Sequence, residues 1–179
     1  MGRLRRRKII PEDTHIRATL DEGKIVQGNF GRQVEGIVNV KQATDDEGND
    51  YKGTSFKAWF SFSKDDDGTE FISYGSPLYQ LLLMVRPNLE EVLDDPDLSN
   101  SEYEKFLKKA VRDIDDLDIV ARVGVKTNKK DETKKNNVLQ SGTFGPYVAP
   151  DAELDEDVKD LDMGEGEKSN AKKTAKAPF

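Results

Sequence analysis

The chain has 179 residues, with 35% charged against 35% hydrophobic and a net charge of −7, which suits one modest domain with polar extensions. The absence of cysteine and the single histidine, His15, exclude disulfides, thiolate zinc sites and a histidine-rich metal centre. No stretch approaches the roughly 20 apolar residues of a membrane helix, and MGRLRRRKII is basic without the apolar run of a signal peptide, so a cytoplasmic protein without membrane contact is expected.

Residues 1–15 read as a basic arm, with His15 a surface residue ahead of the first strand. IRATL (16–20) and KIVQGNF (24–30) flank Asp-Glu-Gly, which reads as a hairpin turn. VEGIVNVK (34–41) alternates Val34, Gly36, Val38 and Val40 on one face. The turn formers TDDEGND follow, and Tyr51–Ser63 is the return strand. Within it, SFKAWFSFS puts Phe56, Ala58, Phe60 and Phe62 on one face. Lys57, Trp59 and serines fall on the other. KDDDG is the next turn, and TEFISY (69–74) the next strand.

Gly75-Ser76-Pro77 opens a helix, with serine as N-cap and proline in the first helical position. LYQLLLMV continues it, apolar nearly all round, so the helix is expected to pack on the sheet. Residues 88–118 read as an inserted acidic helical segment, with Tyr103, Phe106, Leu107 and Ala110 at helical spacing. DIVARVGVK (118–126) turns Ile119, Ala121, Val123 and Val125 inward and Arg122 and Lys126 outward. After the polar loop TNKKDETKKNN, VLQSGTF (138–144) is expected to pair back as the last strand. Strands, one packed helix, an insertion and a final hairpin suit a mainly β fold. The expectation is a small, closed or partly closed barrel of the oligonucleotide-binding (OB) type, with the helix capping one end. The domain is placed at 16–149, and 150–179 reads as a disordered tail.

Charge is segregated along the chain. Residues 1–8 carry five positive charges and no negative one, and 90–118 hold eleven acids against four bases. Residues 151–167 carry nine acids and one lysine, and 168–179 four lysines and no acid. The acidic balance is thus concentrated in an insertion and a tail, and leaves room for a nucleic-acid-binding face.

No P-loop, GxSxG or HExxH is present. The sequences at 45–50 and 65–68 read as hairpin turns rather than calcium loops. The expectation is a non-enzyme without cofactor or metal. The positive signal is aromatic and basic residues together on strands. Single-stranded nucleic acid is held by rings that stack on bases and by cations along the phosphates. Lys57 and Trp59 share a strand face, with Tyr51 and Lys52 at the start of the same strand. Arg122, Lys126, Lys129, Lys130, Lys134 and Lys135 form a basic finger with its supporting strand. Two readings of Trp59 stand side by side: a stacking ring, or a ring covered by a helix or by the insertion.

The last thirty residues run from AELDEDVKDLDMGEGE through KSNAKKTAK to Ala-Pro-Phe. This layout resembles that of single-stranded DNA-binding proteins, in which an OB barrel precedes a disordered acidic tail. In the bacterial proteins the tail ends in Pro-Phe, matched here by Pro178 and Phe179, and phage counterparts often end in phenylalanine. GTSFKAWFSFS, FISYGSPLYQLL and DLDIVARVGVKTNKK…NNVLQSGTF resemble, over residues 16–147, small phage proteins linked to DNA replication and recombination. The resemblance implies coating or protection of single-stranded DNA; a preference for DNA over RNA is not legible. It also implies recruitment of replication or recombination proteins through Asp155, Glu156, Asp157, Pro178 and Phe179. One departure is that Lys172, Lys173 and Lys176 separate the acids from the tip. The other reading is a β-barrel interaction module of a phage structural or host-takeover complex. Whether the chain forms a homo-oligomer is not legible.

Overall fold

A computed structural model of the chain describes residues 8–43, 45 and 47–148. Every element below lies within the unit Met1–Pro146. The elements in order are β1 (His15–Gly28), β2 (Gly31–Ala43), β3 (Ser55–Ser61), β4 (Ser63–Lys64) and β5 (Glu70–Phe71). There follow α1 (Pro77–Val85), α2 (Leu89–Leu93), α3 (Asn100–Arg112), β6 (Leu117–Thr127), β7 (Lys135–Leu139) and β8 (Gly145–Pro146). The fold is mainly β. One antiparallel sheet runs β3-β2-β1-β6-β7 with β8 beside β6, and β4 and β5 form a separate ribbon.

The sheet curls until its two end strands, β3 and β7, come side by side. No ladder joins them among the described residues, so the sheet is not closed. The curl has a visible source in β1, where Asp21-Glu22-Gly23 is not the expected hairpin. The strand continues through it as a bulge, in which Glu22 and Gly23 together face Gly36. Such an extra residue bends and twists its strand, and Glu22 supplies a positive φ of 54°. Gly23 is required by the insertion, since a β-carbon there would lie 2.5 Å from the Val111 carbonyl oxygen and 2.7 Å from Ile114 Cβ. The Asp21 carboxylate accepts from Thr19 Oγ1, Asn39 Nδ2 and the Asp116 N–H. The bulge is therefore a dock for the end of the inserted segment. The real hairpin lies one step later, where Gly28 pairs with Gly31 and Asn29-Phe30 form its two-residue tip.

The inward stripes follow the alternation in the sequence. Ile16, Ala18 and Leu20 meet Val34, Val38 and Val40, then Phe56, Ala58 and Phe60, then Ile119, Ala121 and Val123. In α1, Ser76 Oγ accepts from the Tyr79 N–H and Pro77 stands in the first turn, as expected. The helix buries Leu78, Leu81 and Leu82 completely, at about 1.5–3 kcal/mol each.

The insertion is two helices. Ser99 and Glu102 close a capping box on α3, whose Leu107, Ala110 and Val111 are buried, and α3 packs against β1. Arg32 of β2 bonds Glu70 through Nε and Nη2 and Glu104 of α3 through both terminal nitrogens, at 2.5–3.1 Å. This double fork ties the insertion and the β4–β5 ribbon to the sheet, and it holds the Arg32 pKa well above its ordinary value.

Two further expectations shift. The strand that pairs back on β6 runs from Lys135 to Leu139 rather than over 138–144, because Thr127 pairs with Lys135 and the loop closes at Asn128–Lys134. TEFISY contributes only Glu70–Phe71 as strand, since it pairs with the two residues that follow the β3 edge. No helix among the described residues is long and apolar enough to cross a membrane.

Candidate nucleic-acid interface

The outer face of β1, β2 and β3 carries a transverse row. Register sets Lys24 opposite Glu35, and Glu35 opposite Trp59. The Trp59 indole Nε1–H donates to Glu35 Oε2 at 2.8 Å. Glu35 Oε1 lies 3.3 Å from Lys24 Nζ and 3.5 Å from Lys57 Nζ. Glu35 is only 8% exposed, yet Trp59 is 49% exposed. Burial pushes the Glu35 carboxyl up. The indole bond, the Lys24 bond and the two lysine charges outweigh it and hold the group below its ordinary 4.5. The carboxylate thus clamps the edge of an indole whose face remains open. None of residues 88–118 lines the cavities at which the ring stands.

A cleft follows the unpaired seam between β3 and β6–β7. Its inner part is a cavity of about 350 Å³ lined by Lys8, Lys57, Trp59 and Lys126 among others. A groove of about 940 Å³ shares Lys57, Trp59 and Lys126 with it and runs on to Gln33, Ser61 and Gln140.

Lys8 reaches the cleft through Asn137 of β7, a buried side chain that behaves like a strand backbone. Its Oδ1 accepts from the Ile10 N–H at 2.9 Å, and its Nδ2 donates to the Ile10 carbonyl at 2.8 Å and to the Gly124 carbonyl at 3.3 Å. Ile10 itself is fully buried.

Of the residues expected from sequence, the cleft brings together Lys57, Trp59 and Lys126. Lys129, Lys130, Lys134 and Lys135 are exposed on the β6–β7 loop and the start of β7, with Lys134 3.9 Å from Asp131. Lys52 is exposed in the turn before β3, outside the cleft lining. Arg122 is not among the residues that line the cleft; it stands opposite His15 of β1 and donates from Nε to His15 Nε2 at 3.1 Å.

Tyr51 is a correction. Its ring is 7% exposed and part of the core, and its hydroxyl donates to Asp45, so no face is free to stack. The Asp45 carboxyl is held at about 2 by Asn49 and then Tyr51, a turn-forming role. Asp155, Glu156, Asp157, Pro178 and Phe179 lie outside the described residues.

Sequence reasoning missed Glu35, Lys24, Lys8 and Phe30. Phe30 is 95% exposed at the β1–β2 tip, and its signal was the glycine pair Gly28 and Gly31 enclosing it. Lys64 lies across that turn, its Cε 2.9 Å from where a β-carbon of Gly31 would stand. Glu35 carried a signal too, as an acid between inward valines on the tryptophan's face.

No known family model matches the chain, and no curated protein matches it in sequence.

Proposed function

We propose that the protein binds single-stranded nucleic acid, with single-stranded DNA as its partner, in the cleft between β3 and β6–β7. The observation that carries this reading is Trp59. The core is complete without it, its face is half open, its edge is fixed by Glu35, and three lysines line the same cleft. We read the open sheet as an OB barrel parted at the β3–β7 seam. The path β3-β2-β1-β6-β7, with α1 between the third strand and the return hairpin, agrees with that fold. OB modules bind oligonucleotides on the face of strands 2 and 3 and with the loops joining strands 1–2 and 4–5. Here those places hold Trp59 and Lys57, then Phe30, then Lys129, Lys130 and Lys134. The protein would act without catalysis, coating or protecting single strands during viral DNA replication or recombination.

The test is a titration of the intact chain with oligo-dT, read by the fluorescence of the single tryptophan. Quenching is expected, with log K falling against log salt by about 0.7 per phosphate neutralised, hence about 2 for the three cleft lysines. Trp59→Ala, which leaves no tryptophan to report, is read by oligo-dT mobility; it is expected to keep the fold and to weaken binding by about 1–3 kcal/mol. Unchanged fluorescence and unchanged oligo-dT mobility at low salt would sink the proposal.

A further inference from the structure

A second cavity, of about 400 Å³, shares no residue with the cleft. It lies between the β4–β5 ribbon, α1 and the insertion. Leu93, Leu98 and Ile72 give it an apolar floor, and Tyr74, Tyr79 and Tyr103 supply aromatic walls. Tyr74 is 81% exposed, yet its ring is packed 4.8 Å from that of Tyr79, tilted by 40°. Tyr79 is fixed in turn, because its hydroxyl donates to Glu90. The charged groups lining the cavity are all carboxylates, Glu70, Glu90 and Asp94, and Arg32 offsets only Glu70.

We propose that this cavity is a docking site for the cationic side chain of a basic peptide segment on a partner protein. The aromatic faces attract a cation held over them, and Glu90 and Asp94 supply the opposite charge at the rim. Phosphate-bearing ligands are repelled by the same carboxylates, which separates this site from the lysine-lined cleft. Tyr103 is pushed up to about 12 by burial and then by the Glu70 charge, and Tyr79 is raised by its bond to Glu90. The site is independent of the nucleic-acid reading and gives the fold a protein partner in addition.

The experiment titrates the isotope-labelled full chain with a capped pentapeptide, Gly-Lys-Phe-Arg-Gly. Parallel titrations use its glutamate counterpart and a leucine counterpart. Amide shifts at Ile72, Tyr74, Tyr79 and Asp94 are expected with the basic peptide alone. Tyr74→Ala, at an exposed position, and the pair Glu90→Gln with Asp94→Asn are each expected to weaken it about five- to tenfold, with the melting curve intact. Saturating oligo-dT beforehand should leave the titration unchanged. Equal binding of the leucine or glutamate peptide, shifts confined to the cleft, or no shift at all would overturn the proposal. None of these outcomes bears on whether oligo-dT binds.

Discussion

Replacing Glu35 by glutamine removes one charge and almost no volume from beneath the tryptophan. A glutamine carbonyl still accepts the indole N–H, so the ring keeps its edge contact. What disappears is attraction for Lys24 and Lys57, whose side chains are 62% and 54% exposed. At such exposure each pair is worth about 0.2–1 kcal/mol, so Glu35→Gln is expected to cost about 0.5–2 kcal/mol of stability. The melting temperature should then fall by a few degrees. Binding should move the other way. In the native protein both ammonium groups share a carboxylate, and a phosphate must compete with it. With glutamine, both are freer, and because Lys57 already counts among the three cleft lysines, the slope of log K on log salt steepens by up to about 0.7, from Lys24. At low salt this corresponds to about three- to tenfold tighter oligo-dT binding.

The assay pairs thermal melts with tryptophan titrations at four salt concentrations. A slope no steeper than wild type, in a variant that remains folded, would refute the reasoning. The pH dependence supplies a second arm with a fixed sign. Glu35 titrates below its ordinary 4.5 in the folded protein. Its contribution is therefore fully present above the unfolded value and is lost as pH falls through the folded one. The stability gap between wild type and Glu35→Gln should be constant near neutrality and close as the medium is acidified below about pH 4. A gap that widens on acidification would contradict the assignment.

Arg32→Met breaks both forks that hold Glu70 and Glu104, and urea denaturation should show a loss of about 1–3 kcal/mol. A loss below about 0.5 kcal/mol would mean that the insertion is held by its apolar face alone. Gly23→Ala drives a methyl group into the Val111 carbonyl and Ile114, with an expected cost of about 1–3 kcal/mol; an unchanged thermal midpoint would show that the bulge is not the dock described. Asn137→Ala leaves the Ile10 backbone groups without partners, at about 1–3 kcal/mol. Because Lys8 then loses its anchor, oligo-dT binding should weaken toward the level of Lys8→Ala and no further, a comparison that the same titration makes.

The sequence carried the period of the elements better than their ends. Strand β3 is the clearest case. Phe56, Ala58, Phe60 and the following Phe62 are buried, the residues between them are exposed, and the pattern needed no tertiary knowledge. The Ser76-Pro77 start of α1 was equally legible, because capping is a local event. Asp-Glu-Gly misled for a physical reason. Turn-forming residues also serve bulges, and only the approach of α3 at Gly23 tells the two apart. Tyr51 was misassigned because sequence proximity to Lys57 and Trp59 says nothing about side-chain direction after a turn. The seam lysines were partly legible as a basic loop. Lys8 was invisible as a cleft residue, since its place depends on Asn137 bonding a chain 127 residues away.

Glu35 joins these observations into one argument. A large ring on the polar side of a strand has two difficulties: it exposes apolar surface, and its rotamers are free in solution. The 2.8 Å bond to a nearly buried carboxylate addresses the second. A ring already fixed loses less side-chain entropy when a base stacks on it, so more of the stacking free energy appears as affinity. The same carboxylate is itself kept charged by Lys24 and Lys57. Fixing the ring and tempering the local positive charge therefore rest on one side chain, and removing that side chain loses both. That coupling is why the glutamine variant, which keeps the first and abolishes the second, separates them where an alanine would not.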